Sequence, residues 1–598
     1  MFNPLRCLVL AALLASGAAA AAADPAKVLH AYFEAPETGF DPAAYSDRYS
    51  LDVTSNIYET LLGYDYLARP QKLVPLAAEA LPQIDENGKR FTFRIRQGIY
   101  FTPDAAFGGK PRELTAQDFV YSLQRLVDPT GKAPWDFMLK GKVIGLDEKI
   151  DAAKKSGKFN YDQPIDGLRA IDRYTLQIRL KKTDYNLPNI LAAPATAAVA
   201  REVVQQYGAD FDAHPVGTGP YVLKEWKRAT RIVLQANPQF RGASYSPAPG
   251  AQGVDAEVAR QLAGKSLPRI GTIDIRIIES AQGSFLAFES GELDVLQGLG
   301  AEFTRIVAPG GKLGAAYVKR GVRYFREPEA DLTYLQFNMD NPVLGGYAPE
   351  KIALRRAIAL SLNPAKAIAV IGNNQALAAQ SPIAPGITGY DSGFKNVLGS
   401  YSPARANALL DRFGYRDRDG DGWRQLPDGK PLAITYTTQT GGDRRDYEEF
   451  LVKSLKAIGI KLDIRKMPFS ELVKTRQSGQ YQFAGAAWGA DYPDAENFMQ
   501  LLYGPNAGPG NESRFRSKEF DRLYEDIATS PDSPARNAKL RQMSRIVAAY
   551  APWIVNSHRI RTSLAQPWIS GYKPHPDNMP HYLYLDIDPA IKAAAARH

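Results

Sequence analysis

The sequence predicts a mixed α/β protein built from several units. Short runs with strand alternation interleave with amphipathic helices along the whole chain instead of segregating into blocks. Residues 432–437, 446–458 and 460–465 read as strand, helix and strand. Three such elements within about 35 residues make a βαβ crossover, which requires parallel pairing. The 598 residues are also too many for one core, since single domains cluster near about 150 residues.

The chain opens with an apolar stretch at 8–20, preceded by Arg6 and followed by an alanine run ending at Ala23. A short basic flank, a stretch too short to span a bilayer and small residues at an A-x-A site together read as a cleavable secretory leader, residues 1–23. Cys7, the only cysteine, precedes the apolar stretch, so it is badly placed for a lipoprotein anchor. The mature chain then has no thiol for a disulfide, a nucleophile or a zinc site. No later stretch approaches the ~18 apolar residues of a membrane span.

Further along, 91–96 and 174–180 alternate with period two and read as half-buried strands. Thr115 is placed to cap a helix carrying Phe119, Leu123 and Leu126 on one face, stopped by Asp128-Pro129. Gly217-Thr218-Gly219-Pro220 reads as a tight turn feeding a strand, with Tyr221 and Trp226 as framework. The stretch 242–265, rich in Gly, Ala, Ser and Pro, reads as a surface excursion. Gly291 ends a helix ahead of Glu292 and Asp294, also framework. Residues 351–362 have helical periodicity, with Arg355 and Arg356 expected in solvent. Ser402-Pro403 opens another helix, and Gly459 stops the one before the 460–465 strand.

Composition and motifs narrow the function. The formal charge of +9 is spread over 73 basic and 64 acidic residues with no basic run, so no nucleic-acid face is expected. Gly217-Thr218-Gly219 lacks the third glycine of a dinucleotide loop, and Gly264-Lys265-Ser266 lacks the leading glycine of a phosphate loop. There is no H-E-x-x-H and no G-x-S-x-G, and none of the six histidines pairs at metal spacing. Asp417, Asp419 and Asp421 resemble the start of a calcium loop, but its twelfth position is Asp428 instead of glutamate; the Asp-Gly pairs read as a tight turn, with calcium binding as the alternative. The expectation is no catalytic residue, no metal and no cofactor, with a secreted hydrolase using dispersed carboxylates as the remote alternative.

Several segments, in order, resemble the large peptide-binding family (family 5) of extracytoplasmic solute-binding proteins that serve ABC importers. They are Phe40-Asp41-Pro42, Asn56 to Leu62, Leu73 to Glu79, Phe91 to Phe101, Thr115 to Ser122, Gly217 to Tyr221 with Trp226, Ser290 to Val295, Phe337-Asn338-Met339 before Arg355, and Trp488 to Pro493. Their order across nearly the whole chain carries the resemblance, not any one of them. It implies the periplasmic-binding-protein fold: two α/β lobes with mixed sheets, joined by two hinge strands, and an extra domain inserted in lobe I. Carried onto this sequence, lobe I takes 24–66, 215–336 and 556–598, the extra domain 67–214, and lobe II 337–555, with hinges near Gln336 and Asn556.

The resemblance also implies a periplasmic, monomeric protein that closes on a peptide and delivers it to an inner-membrane ABC permease. Asp491 is implied as partner of the ligand's α-ammonium. Trp488, Gly489 and Ala490 are implied to bond the peptide main chain as an added strand would, with Trp488 walling a side-chain pocket. Some relatives carry a basic residue three positions before the tryptophan, where it can meet a carboxylate. Here that position is Gly485, which leaves that anchor absent and admits longer peptides or blocked C-termini. An oligosaccharide, a nickel chelate or a peptide-like antibiotic in the same cleft is the alternative.

Overall fold

The computed structural model describes residues 23–595, apart from 46, 132, 247–251, 372–373, 441–443 and 576–580. The leader read at 1–23 lies outside the described residues except for Ala23. Among the described residues no helix is long and apolar enough to cross a membrane.

Three main sheets organise the chain. The first gathers Asp24–Phe33, Ile270–Ile277, Arg231–Ala236 and Tyr221–Lys227, in that order. Its first pair is parallel and the other two are antiparallel. The Gly217 turn feeds it as expected. A Cβ on Gly217 would sit 2.0 Å from the Ile57 carbonyl oxygen, and one on Gly219 2.7 Å from it. The two glycines are therefore required by close backbone approach. Trp226 packs on Phe40 with ring centroids 4.5 Å apart.

The second sheet is antiparallel: Gln83–Asp85, Arg90–Arg94, Thr175–Arg179 and Leu168–Asp172. The two alternating runs pair with each other, Phe91 opposite Ile178 and Phe93 opposite Leu176, and all four side chains are buried. Period two places them on the core face. The helix Ala116–Arg125 covers this sheet. Asp118 accepts both the Thr115 N–H, at 2.7 Å, and the Thr115 hydroxyl, at 2.9 Å.

The third sheet has eight strands. Its main path runs Val295–Gln297, Trp553–Ala565, Asp331–Phe337, Phe483–Gly489, Ala433–Gln439, Lys461–Met467. The last two are the parallel pair of the expected crossover, joined through the helix Arg445–Lys456. Leu332 and Tyr334 enter one hydrophobic cluster, Leu335 and Phe337 another, so opposite parities face separate cores. Trp553–Ala565 is shared. Its residues Ile560 to Ala565 pair with Arg323–Pro328, whereas Trp553 to Ser557 pair with Asp331–Phe337.

Two expectations need correction. The stretch 242–265 contains the helix Gly253–Leu262, anchored by buried Val258, Ala259 and Leu262. Arg355 is not in solvent: on the helix Pro349–Ser361 it is fully buried. Its guanidinium donates to the carbonyls of Tyr550, Leu344 and Gly346 at 2.7–3.0 Å. Burial pulls its pKa down to about 10.

Candidate functional site

The strand Phe483–Gly489 leads into the site. One of its edges is paired along its whole length, from Phe337 opposite Phe483 to Asp331 opposite Gly489. The other pairs only at Phe483 and Ala484, with Tyr436 and Thr437. Among the described residues the edge from Gly485 to Gly489 has no strand partner. Unpaired backbone groups in a row are a template for an added strand.

Asp491 follows that strand. It lines a chamber of about 250 Å³ whose other walls come from several separate stretches, among them Tyr58, Trp135, Asn189 and Arg241. The chamber's only walls from the 483–497 region are 490–493. Asp491 keeps solvent-exposed surface, but the protein packed around its carboxyl raises its pKa above the usual aspartate range, and the Asn497 amide, donating at 3.0 Å, pulls it back. Among the described residues no lysine, arginine or histidine pairs with this carboxylate. A carboxylate without a protein counter-charge has room to accept a cation from solution.

Asn497, fully buried, holds this geometry. Its Oδ1 accepts the Trp488 Nε1–H at 2.9 Å and the Asp491 N–H at 3.1 Å. Two further contacts fix the loop. Asp494 and Arg536, both buried, form a two-point ion pair at 2.6 and 3.0 Å. Buried Glu496 accepts the hydroxyls of Tyr492 and Tyr524. Burial raises its pKa, and the two hydroxyls oppose that rise.

A second cavity, about 510 Å³, lies beside the other end of the strand and is lined by Gly485, Ala486, Ala487, Tyr436, Arg444 and Arg476. A Cβ on Gly485 would meet the Tyr436 hydroxyl at 2.7 Å, so that hydroxyl occupies the room a side chain would take. Arg476 Nη1 donates to the Gly485 carbonyl at 2.8 Å, and its Nε lies 3.0 Å from Glu512. Burial raises the Tyr436 pKa to about 12, with both arginines opposing.

Of the four residues read as binding, Ala490 and Asp491 line the 250 Å³ chamber, while Trp488 and Gly489 line neither cavity. Trp488 packs instead against the cluster of Phe498 and Phe515. Asp294, read as framework, is fully buried and accepts from His30, Trp568 and Lys592. Asp417, Asp419 and Asp421 lie with ligand oxygens within 4.8 Å of one another. Each accepts a backbone N–H of its own turn. Asn497, Glu496, Arg444 and Arg476 were not singled out from the sequence. Their one signal is the Asp491-x5-Asn497 spacing, which has no periodic signature.

Known proteins agree with this architecture. The chain is 25% identical over 593 residues to the di/tripeptide-binding protein 2 of Pseudomonas aeruginosa, covering 96% of this chain and 98% of that relative. The Helicobacter pylori ABC transporter-associated periplasmic binding protein DppA, solved in complex with peptide STSA, superposes with a TM-score of 0.67 at 21% identity, covering 94% of this chain and 98% of that one. NikA of Brucella suis, solved with Fe(III)-EDTA, gives a TM-score of 0.71 at 18% identity, covering 94% of this chain and all of that one (100%). These likenesses show a two-lobed periplasmic-binding-protein fold. The family model described as bacterial extracellular solute-binding proteins, family 5 Middle, matches residues 72–510. The chain belongs to the family 5 bacterial extracellular solute-binding proteins.

Proposed function

We propose that this chain is the periplasmic substrate-binding component of an ABC transporter, capturing peptides in its interlobe cleft and delivering them to a membrane permease. The observation that carries this reading is Asp491: a carboxylate with a raised pKa and no protein cation, facing a chamber. A peptide's α-ammonium supplies the missing charge. The edge from Gly485 to Gly489, which no strand pairs among the described residues, suits a peptide main chain, which gives affinity without reading sequence. The name of the Pseudomonas relative, a di/tripeptide-binding protein, and the peptide in the Helicobacter structure support the same ligand class.

In this reading the protein is exported through the leader at 1–23, acts as a monomer and catalyses nothing. Lobe I comprises 24–66, 215–336 and 556–598, the extra domain 67–214, and lobe II 337–555. Closure follows from the ligand's better fit to the closed form.

The test is titration calorimetry on ligand-stripped protein with di-, tri- and pentapeptides, their N-acetylated forms, a sugar set and nickel chelates. Free peptides are expected to bind, acetylation to remove most of the affinity, and Asp491→Ala to weaken binding more than tenfold. Full affinity for acetylated peptides, or binding of sugar or nickel alone, overturns the reading.

A further inference from the structure

We infer that the chamber beside Asp491 selects peptides whose first residue carries a large apolar side chain, aromatic above all. The inference rests on the peptide reading of the same cleft. The α-ammonium and the first side chain leave the same α-carbon. A ligand held by its ammonium at Asp491 therefore projects that side chain into the space Asp491 faces, the 250 Å³ chamber.

The chamber's walls decide what fits. Tyr45, Tyr64, Trp135, Met138, Phe240 and Tyr584 supply its large apolar surfaces. Several are held rigidly. Trp135 Nε1 donates to the Tyr45 carbonyl at 3.0 Å, and its ring meets that of Tyr45 edge-on, centroids 5.9 Å apart. Tyr584 stacks on Tyr66 at 4.1 Å. Rigid aromatic surfaces offer contact area with little ordering cost, and Met138 adapts to the remaining shape.

Charge is the second filter. Besides Asp491, the only ionisable acids and bases other than tyrosine among the wall residues are Glu59 and Arg241. They neutralise each other through two bonds, 2.8 and 2.6 Å, and Glu59 also accepts the Thr218 hydroxyl at 2.9 Å. With Asp491 engaged by the ammonium, a charged first side chain enters a confined space with no counter-charge left for it. A glycine leaves the space to water. About 30 Å³ per water in the liquid sets the scale, so roughly eight waters fill the empty chamber. Water poorly held against aromatic walls is displaced favourably by an apolar group.

The cavity at the opposite end of the strand differs in charge: arginines line it and, among the described residues, no carboxylate does. The 510 Å³ cavity presents Arg444, Arg476, Gln439 and Thr438. The strand rises about 3.3 Å per residue, which separates Asp491 from Gly485 by roughly 20 Å. A peptide lying along the open edge thus meets the aromatic-walled chamber with Asp491 at its N-terminus and a cavity lined by Arg444, Arg476 and Arg559 further on.

The experiment is a calorimetric series on ligand-stripped wild-type protein: X-Gly-Gly with X = Phe, Tyr, Leu, Ala, Gly, Lys and Glu, together with Gly-Gly-Phe and acetylated Phe-Gly-Gly. Phe and Tyr are expected to bind about ten- to hundredfold tighter than Gly, with Lys and Glu no better than Gly. Gly-Gly-Phe is expected to gain nothing comparable, and Trp135→Ala to shrink the Phe-to-Gly ratio at least threefold. If all X bind alike and acetylation still abolishes binding, the peptide reading stands and the chamber inference is overturned. If no peptide binds, or acetylation changes nothing, both readings fall. The wild-type series decides the matter even if the Trp135 variant does not fold.

Discussion

The side chain of Asn497 grips Asp491 at two points, accepting its backbone N–H at 3.1 Å and donating to its carboxylate at 3.0 Å. The same carbonyl oxygen takes the Trp488 indole N–H at 2.9 Å. One buried amide thus fixes the direction in which the carboxylate faces the chamber. Asn497→Ala leaves two donors unsatisfied and frees Asp491 to turn. The expected result is a loss of peptide affinity of about tenfold together with a stability loss of about 1–3 kcal/mol. Asn497→Asp keeps the acceptor but sets a second carboxylate against Asp491, so affinity is expected to fall further as pH drops toward 5. Calorimetry at two pH values and urea unfolding check both variants.

Asp491 itself carries a pH signature. Its pKa is raised in the empty protein, chiefly by desolvation, whereas a bound ammonium favours the charged form. Affinity is therefore expected to be full above the raised pKa and to fall as pH drops through it, about tenfold per pH unit below. Acetylated peptides, or the Asp491→Asn variant, are expected to show a flat profile. A wild-type profile as flat as theirs removes the carboxylate from the site.

The stability of the empty protein should run the opposite way at this residue. A carboxyl with a raised native pKa binds its proton more tightly folded than unfolded. Its contribution to stability therefore grows as pH falls through the window between the two pKa values, and solvent at its exposed surface keeps the cost of its charged form at neutral pH small. Asp491→Asn removes that small cost while keeping an acceptor for Asn497. The variant is expected to unfold at a urea midpoint no lower than that of wild type at pH 7 while losing peptide affinity. Midpoints in urea, with and without peptide, test this.

Arg355 is the opposite case, a charge whose role is structural. It satisfies the carbonyl of Tyr550, at the end of the helix Pro534–Tyr550, and those of Leu344 and Gly346. Arg355→Met keeps volume but strands those acceptors. The expected cost is about 2–4 kcal/mol in denaturant unfolding, with peptide affinity unchanged in the fraction that remains folded. Gly217→Ala is expected to be harsher, since its Cβ would lie 2.0 Å from the Ile57 carbonyl oxygen. Loss of soluble protein is the outcome to look for.

Much of this architecture was legible in the sequence because period carries burial. Phe91 and Phe93 alternate toward the core, and the 432–465 stretch becomes a parallel pair through its helix. The site was legible less directly. Asp491 came from resemblance to a family, since a lone aspartate before Tyr492-Pro493 equally suits a turn. Asn497 went unseen because its partners lie across a turn, and a satisfied buried amide leaves no pattern. Arg355 was misread because its burial depends on carbonyls contributed from Leu344, Gly346 and Tyr550, two of them outside its helix neighbourhood and one far along the chain. The helix Gly253–Leu262 was hidden by a composition that normally marks loops.

The 13-residue strand Trp553–Ala565 is bonded at one end to Asp331–Phe337 and at the other to Arg323–Pro328. Between them, Ser557 to Arg559 pair with the short strand Ala376–Ala378. Any rotation of one half of the molecule against the other must be absorbed as bend and twist inside this continuous ribbon, without breaking its ladders. A bent strand returns elastically, so ladders that stay intact on both sides of Ser557 to Arg559 would give such a rotation a restoring force seated in the backbone.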